Sequence, residues 1–191
     1  MTYIHFKKFC TFDSEKNLIL LTSIIKATAE DCGLLSEIGR KSFTESHGRS
    51  AAKEDIESYL NENYSRGKFE NELSDPGNIY HIIYSDNKPS GYSKIILNFP
   101  AVNIPEKNIT KMERLYLLKE FYGLNLGLEL FNFNTELSVN NAQKGMWLYV
   151  WKENHRAVSF YKKAGFKIVG SHDFRISENH SNPNHQMYLK Y

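Results

Sequence analysis

The period of apolar positions changes several times along the chain, and each change marks an element. Residues 19–27 are rich in Ile and Leu and read as the first firm strand. Leu34, Leu35, Ile38 and Phe43 then recur at helical spacing, so a helix begins at Thr28 or at Glu30-Asp31, and "TESHGRS" is expected to break it. A second helix, "AAKEDIESYLNENY", gathers Ile56, Tyr59 and Leu60 on one face, and a short third, "SRGKFENELSDPG", stops at Pro76-Gly77. The texture then turns strand-like. "NIYHIIYSD" and "PSGYSKIILNF" flank the turn signal "DNKP", and "PAVNIPEKN" is a loop.

The segment that organises the rest is "MERLYLLKEFYGLNLG", residues 112–127. Leu115, Tyr116, Leu117 and Leu118 form a continuous apolar run, which suits a strand covered on both faces or a short buried helical turn. Gly123 and Gly127 bracket Leu124, Asn125 and Leu126, and the stretch after them is long enough for about four helical turns. A glycine turn that opens a helix points several backbone N–H groups outward at the positive end of the helix dipole. It can therefore seat a phosphate without a basic side chain.

Beyond it, Trp147, Tyr149 and Trp151 alternate with Leu148 and Val150 in a strand. A helix is expected over residues 154–164 with Gly165 as its stop. "FKIVGSHDFRI" and "HQMYLKY" close the chain as an antiparallel pair. The order β-α-α-α-β-β-β-α-β-α-β-β is mixed α/β, with an antiparallel first half and a parallel strand pair at the centre. Residues 1–18 read as an N-terminal extension packed on a domain of residues 19–191. Alternation within residues 3–9 suits an edge strand, but Lys7 and Lys8 interrupt it.

Composition narrows the classes. A net charge of +2 without any basic run argues against nucleic-acid binding. Cys10 and Cys32 have neither metal nor disulfide spacing, so a reducing cytoplasm is expected. His47, His155, His172, His180 and His185 show no ligand spacing, and no metal is expected. The apolar run at residues 18–21 is too short for a signal core or a membrane span.

Two stretches together resemble the GCN5-related N-acetyltransferase (GNAT) family. The family's first motif is a strand followed by Gln/Arg-x-x-Gly-x-Gly/Ala, and the matching positions here hold Tyr122, Asn125 and Gly127. The second, Asn-x-x-Ala-x-x-Phe-Tyr-x-Lys-x-Gly-Phe, is met at Asn154, Ala157, Phe160, Tyr161, Lys163, Gly165 and Phe166. The resemblance covers residues 20–191. Within the family, "MERLYLLKEF", "MWLYVWKEN" and "FKIVGSHDF" are most similar to the bacterial PaiA-type diamine and polyamine acetyltransferases. Two departures stand out. Asn125 replaces the middle glycine, and Asn tolerates the left-handed conformation. Tyr122 replaces Gln or Arg and lacks their donor.

The resemblance implies a mixed, mostly antiparallel sheet with helices on both faces and a splayed parallel pair. It implies acetyl-CoA as cosubstrate. The pantetheine arm would pair with the backbone of Leu115, Tyr116 and Leu117. The pyrophosphate would lie on Tyr122, Gly123, Leu124, Asn125, Leu126 and Gly127. Asn154 would orient cosubstrate or water, or serve only as a helix cap. Lys163 would lie near the 3′-phosphate, or be solvated. Tyr161 would be the acid for the leaving thiolate, or a buried tyrosine satisfying a hydrogen bond.

Amine acetylation also needs a neutral amine, whose deprotonation costs roughly 4–5 kcal/mol near pH 7. Glu113 is the candidate to move that proton through water. Strand alternation puts it on one face with Leu115 and Leu117, and the alternative is an ion pair with Arg114 or Lys111. For the acceptor, Glu45, Glu54, Asp55, Glu57 and Glu62 line a polycation site or form a solvated face. Phe43, Tyr59, Trp147 and Trp151 offer cation–π contacts or simply core. The implied activity is acetylation of a small-molecule primary amine, with polyamines included, by direct attack in a ternary complex. A protein or peptide acceptor and a non-catalytic acyl-CoA-binding module are the alternatives. No membrane or nucleic-acid partner is expected, and the chain is a monomer or homodimer.

Overall fold

The computed structural model describes residues 7–13 and 18–191. One sheet runs through the molecule in the order β1-β2-β3-β4-β5-β6-β8-β7. The strands are β1 (Lys7–Asp13), β2 (Leu18–Lys26), β3 (Ile79–Ser85), β4 (Lys88–Ile96), β5 (Thr110–Leu117), β6 (Gly145–Trp151), β7 (Lys167–Arg175) and β8 (Ser181–Lys190). The helices are α1 (Cys32–His47), α2 (Lys53–Asn63), α3 (Arg66–Ser74), α4 (Leu126–Asn140) and α5 (His155–Lys163). From β2 onward the order is the expected one, and β5 and β6 are the parallel pair at the centre. The expected N-terminal extension falls partly outside the described residues. What is described there, β1, pairs antiparallel with β2 at the sheet edge.

Local chemistry explains most boundaries. The carboxylate of Asp31 accepts hydrogen bonds from the Thr28 N–H at 2.8 Å and hydroxyl at 3.1 Å, which turns the chain into a short 3₁₀ turn and then α1. Asp86 and Asn87 both take positive φ, 48° and 62°, as a two-residue hairpin turn between β3 and β4 requires. Two boundaries differ from expectation. "TESHGRS" does not break α1 at Thr44. The hydroxyls of Thr44 and Ser46 bond back to the carbonyls of Arg40 (2.8 Å) and Ser42 (2.7 Å), so the helix continues to His47. β8 starts at Ser181, well before His185, because Pro183 is accommodated opposite Asp173 in the outer ladder.

Helices α1–α3 cover one face of the sheet, where Leu35, Ile38, Leu60 and Phe69 pack on Tyr80, Ile82 and Tyr92. Helices α4 and α5 cover the other, where Phe131, Val158 and Phe166 pack on Ile95, Met112, Met146 and Met187. The sheet does not stay continuous between these layers. β5 and β6 pair only at Thr110/Met146 and Lys111/Trp147, and then part. A bulge lies beside the parting point, where Lys94 opposes Arg114 and Ile95 opposes Met112, leaving Glu113 without a partner in the ladder.

The first layer is pinned to β5 by a buried ionic knot. Glu72 of α3 bonds Lys94 at 2.7 Å, Arg114 at 3.4 Å and the Tyr80 hydroxyl, while Arg114 also lies over the rings of Tyr64 and Phe69 at 4.9 and 5.3 Å. Burial alone would raise the Glu72 carboxyl. Arg114, Lys94 and Tyr80 overcome this and hold it below the usual carboxylate range. A carboxyl depressed on folding contributes stability above its unfolded value, and that contribution is lost as pH falls below about 4.5.

Replacement Glu72→Gln is expected to lower unfolding free energy by about 3 kcal/mol in urea titrations, because it strands two buried cations. Lys68→Gln, which removes a more exposed amine 3.6 Å from Glu72, should change it by less than about 1 kcal/mol.

Candidate active site

The parting of β5 and β6 opens a cleft of about 1230 Å³. Its walls come from α1, α2, the two parted strands, the start of α5 and the β7–β8 end of the sheet. From Met112 onward the β6-facing edge of β5 has no partner strand. Leu115 and Leu117 therefore present main-chain groups to the gap, whereas Tyr116, two residues before the Leu118 N–H that donates to Ser90 at 2.9 Å, turns its own toward β4, contrary to the expectation that all three would face the arm. The side chains are held elsewhere. Leu115 and Leu117 pack under α4 and Tyr116 under α1.

At the upper end of β5 the chain makes a 3₁₀ turn, Lys119–Phe121, and then the glycine loop. Gly123 takes φ +84° and Asn125 φ +58°, so asparagine fills the left-handed position that starts α4. The Asn125 carbonyl accepts the N–H groups of Leu128 and Glu129, both at 3.0 Å. Among the described residues, the N–H groups of Gly123, Leu124, Asn125, Leu126 and Gly127 donate to no protein acceptor. A Cβ on Gly127 would come 3.3 Å from Leu117 Cδ1, so the bare glycine lets the helix start lie close to β5. Free amides at a helix start, next to an open strand edge, fit a nucleotide pyrophosphate and the arm attached to it.

Tyr122 has a contact that sequence reasoning did not foresee. The guanidinium of Arg156, in the first turn of α5, lies 3.4 Å from the centroid of its ring. Arg156 makes no ion pair among the described residues, so a free cation is held beside the loop from the α5 side. The missing basic residue of the loop motif was the signal that could have led to it.

Tyr161 and Asn154 both line the cleft. Phe160 and Phe166 pack around the Tyr161 ring at 5.2 and 5.4 Å, and its hydroxyl has no hydrogen-bond partner among the described residues. Burial raises this phenol well above its ordinary value, so it stays protonated through neutral pH. Asn154 caps α5, its Oδ1 accepting the Ala157 N–H at 3.1 Å. Lys163 is exposed on the last turn of α5, away from the cleft lining.

Glu113 departs from its expected placement. The bulge at this residue breaks the alternation, so it does not share a face with Leu115 and Leu117. It ion-pairs with Lys111, whose ammonium lies over Phe99, Trp147 and Tyr149 at 5.1, 5.3 and 6.0 Å. Glu113 still lines the cleft at the parting point. The acidic set also divides. Asp55 and Glu62 line the cleft, but Glu45 binds the Lys119 N–H at 2.7 Å, Glu57 pairs with Arg40 at 2.7 Å, and Glu54 lies outside the lining. Phe43, Tyr59 and Trp151 line the cleft, whereas Trp147 packs with Ala101, Ile104 and Ile109. Among the described residues no cluster of His, Cys, Asp and Glu is arranged to hold a metal, and no helix is long and apolar enough to cross a membrane.

A mixed sheet parted at its central parallel pair, with a glycine loop at one end of the gap and a tyrosine inside it, is the architecture of an acyl-CoA-dependent transferase. Residues 40–166 match the Acetyltransferase (GNAT) family, and the chain belongs to that family. An uncharacterized N-acetyltransferase in the pepI 3′ region of Lactobacillus delbrueckii subsp. lactis is 26% identical over 155 residues, which is 81% of this chain and 90% of the relative. A spermidine N(1)-acetyltransferase of Thermoplasma acidophilum is 28% identical over 145 residues, 76% of this chain and 88% of that one. The crystal structure of a PaiA N-acetyltransferase from T. acidophilum in complex with coenzyme A is similar with a TM-score of 0.71 at 26% identity, over 89% of this chain and 99% of that chain. The protein is an N-acetyltransferase, and acetyl-CoA is its cosubstrate.

The loop geometry sets a conformational test. Asn125→Val should lower stability by roughly 1–2 kcal/mol in urea denaturation, since a β-branched residue resists positive φ. Asn125→Gly should stay within about 1 kcal/mol of the parent, gaining freedom at φ > 0 while paying backbone entropy.

Proposed function

We propose that the protein transfers the acetyl group to the primary amine of a small molecule, polyamines included, by direct attack within a ternary complex. The observation that carries this is the gap between β5 and β6. It joins a loop of amides to an aromatic cleft and contains a tyrosine hydroxyl, and neither the amides nor the hydroxyl have a hydrogen-bond partner among the described residues. The small-amine class draws support from the spermidine N(1)-acetyltransferase relative and from Asp55 and Glu62, which line the cleft without an ion-pair partner among the described residues.

In this proposal the residues divide the work as follows. The backbone of Leu115 and Leu117 holds the pantetheine arm. The amides from Gly123 to Gly127 hold the pyrophosphate, the Tyr122 N–H being engaged by the Lys119 carbonyl at 3.1 Å, and Arg156 adds its charge from α5. Asn154 orients the arm at the start of α5, and Lys163 faces the nucleotide end from outside. Bound acetyl-CoA supplies the acetyl group as an activated thioester. The β5 N–H groups that face the gap stabilise negative charge developing on the carbonyl oxygen. Glu113 receives the amine proton through water, with Lys111 keeping its carboxylate charged and in place. Tyr161 donates its proton to the departing sulfur, and its burial suits that task because an ionised phenol has nothing to give.

Tyr161→Phe should lower kcat by about 100-fold or more while leaving calorimetric binding of CoA unchanged, and unchanged turnover would remove the acid role. Arg156→Ala should weaken CoA binding by about tenfold, as loss of a charge-assisted hydrogen bond does. The acceptor class is tested by thiol release with n-butylamine and spermidine against peptides bearing a free N-terminus or lysine. Faster turnover of the peptides would move the acceptor to protein, and an absence of binding heat with acetyl-CoA would overturn the whole proposal.

A further inference from the structure

The last residue of α1, His47, sits across the mouth of the gap. Its ring centroid lies 6.1 Å from that of Tyr116 on β5 and 5.6 Å from that of Trp151 on β6. Both partners stand well beyond Lys111 and Trp147, the last residues at which those strands pair. One imidazole therefore touches both parted strands and spans the opening on its acceptor side. Phe43, one turn back on α1, stacks on it at 4.8 Å and fixes the plane of the ring.

The hydrogen bonds around it suit one tautomer. Ser46 Oγ lies 2.7 Å from the Ser42 carbonyl and 3.2 Å from that of Phe43, the acceptors a helical serine hydroxyl ordinarily uses. With its proton there, the 2.7 Å contact between Ser46 Oγ and His47 Nδ1 is met by the tautomer whose Nδ1–H donates to the serine oxygen. Nε2 is left as a bare lone pair, and it has no partner among the described residues. Burial pushes this imidazole down to about 4, so it is neutral at any pH where an amine can react. A phenylalanine would fill the same space. What histidine adds is a fixed acceptor atom among aromatic walls.

We infer that His47 contacts the acceptor: its Nε2 accepts a hydrogen bond from an N–H of the incoming primary amine and holds the nitrogen in the opening between Tyr116 and Trp151. The inference rests on the acetyl-transfer reading above and adds to it a recognition element for the reacting end of the substrate. His47 takes up no proton in this role. The proton still leaves through water toward Glu113, on the same strand as Tyr116.

Two variants and one spectroscopic measurement test it. His47→Phe keeps the aromatic packing without the acceptor atom, and His47→Gln restores an acceptor oxygen. Both should melt close to the parent and bind CoA as it does. With n-butylamine or spermidine, His47→Phe should raise KM or lower kcat/KM by about tenfold, and His47→Gln should recover part of that loss. A His47→Phe enzyme within about twofold of the parent on both amines overturns the inference. In the ¹⁵N-labelled enzyme, the His47 imidazole should show a protonated Nδ1 and a bare Nε2 that stays unprotonated on mild acidification. The bare nitrogen should shift when n-butylamine is added to the CoA-bound enzyme. A proton found on Nε2, or titration near the ordinary histidine value, overturns the inference while leaving acetyl transfer intact. A parent enzyme that fails to bind acetyl-CoA overturns the functional proposal and this inference together.

Discussion

An interior strand with one edge left unpaired is the constraint on which this structure depends. Main-chain N–H and C=O groups without partners are tolerable only where water or a ligand reaches them. β5 must therefore stay open to the cleft and still be held rigidly. Its β4 side carries an antiparallel ladder that skips Glu113, its Leu115 and Leu117 side chains lock under α4, and Arg114 ties it to Glu72 on the other layer. Each restraint acts on something other than the free edge, so that edge is available to bind. The ionic knot gives up desolvation energy that an apolar core would not, and what it provides is a fixed position for β5 between two layers.

The order of elements was legible because it depends on local signals. The Asp86-Asn87 turn and Gly165 at φ +95° each follow from one or two residues. The loop at Gly123–Gly127 was legible for the same reason. Asn125 was expected to tolerate a left-handed backbone in place of the motif's glycine, and its φ is 58°.

What could not be read are the features that depend on how separate elements meet. The bulge at Glu113 has no turn residue to announce it. Across it Lys94 faces Arg114 and Ile95 faces Met112, next to Lys111, the last residue at which β5 pairs with β6. That one-residue slip sends Glu113 to Lys111 instead of to the side of Leu115 and Leu117. Arg156 and Tyr122 are far apart in sequence and on different elements, and only the packing of α5 beside the loop brings them into contact. His47 was hidden by the expectation that α1 would end earlier. Once the helix runs on through Thr44 and Ser46, its last turn reaches the gap.

These placements bear on how an acceptor is chosen. A sequence with many acidic residues in its first helices suggests a polycation site, but most of that charge is already engaged. Glu45 and Glu57 are bonded elsewhere, Glu72 is shared among Lys68, Lys94 and Arg114, and Glu113 is paired with Lys111. Asp55 and Glu62 remain, on α2 and toward solvent, where salt screens them beyond about 10 Å at 0.1 M. Long-range attraction to a cationic substrate is therefore weak at the site of reaction. At the end of α1 the lining is aromatic, with His47 in ring contact with Phe43, Tyr116 and Trp151, and the charges at the parting point, Lys111 and Glu113, are paired with each other. A surface of that kind favours an amine that has already lost its proton over an ammonium ion that must shed its hydration to enter. Discrimination at the reacting nitrogen and attraction of the rest of the molecule thus fall to different parts of the cleft, the first to the end of α1 and the second to the outer face of α2.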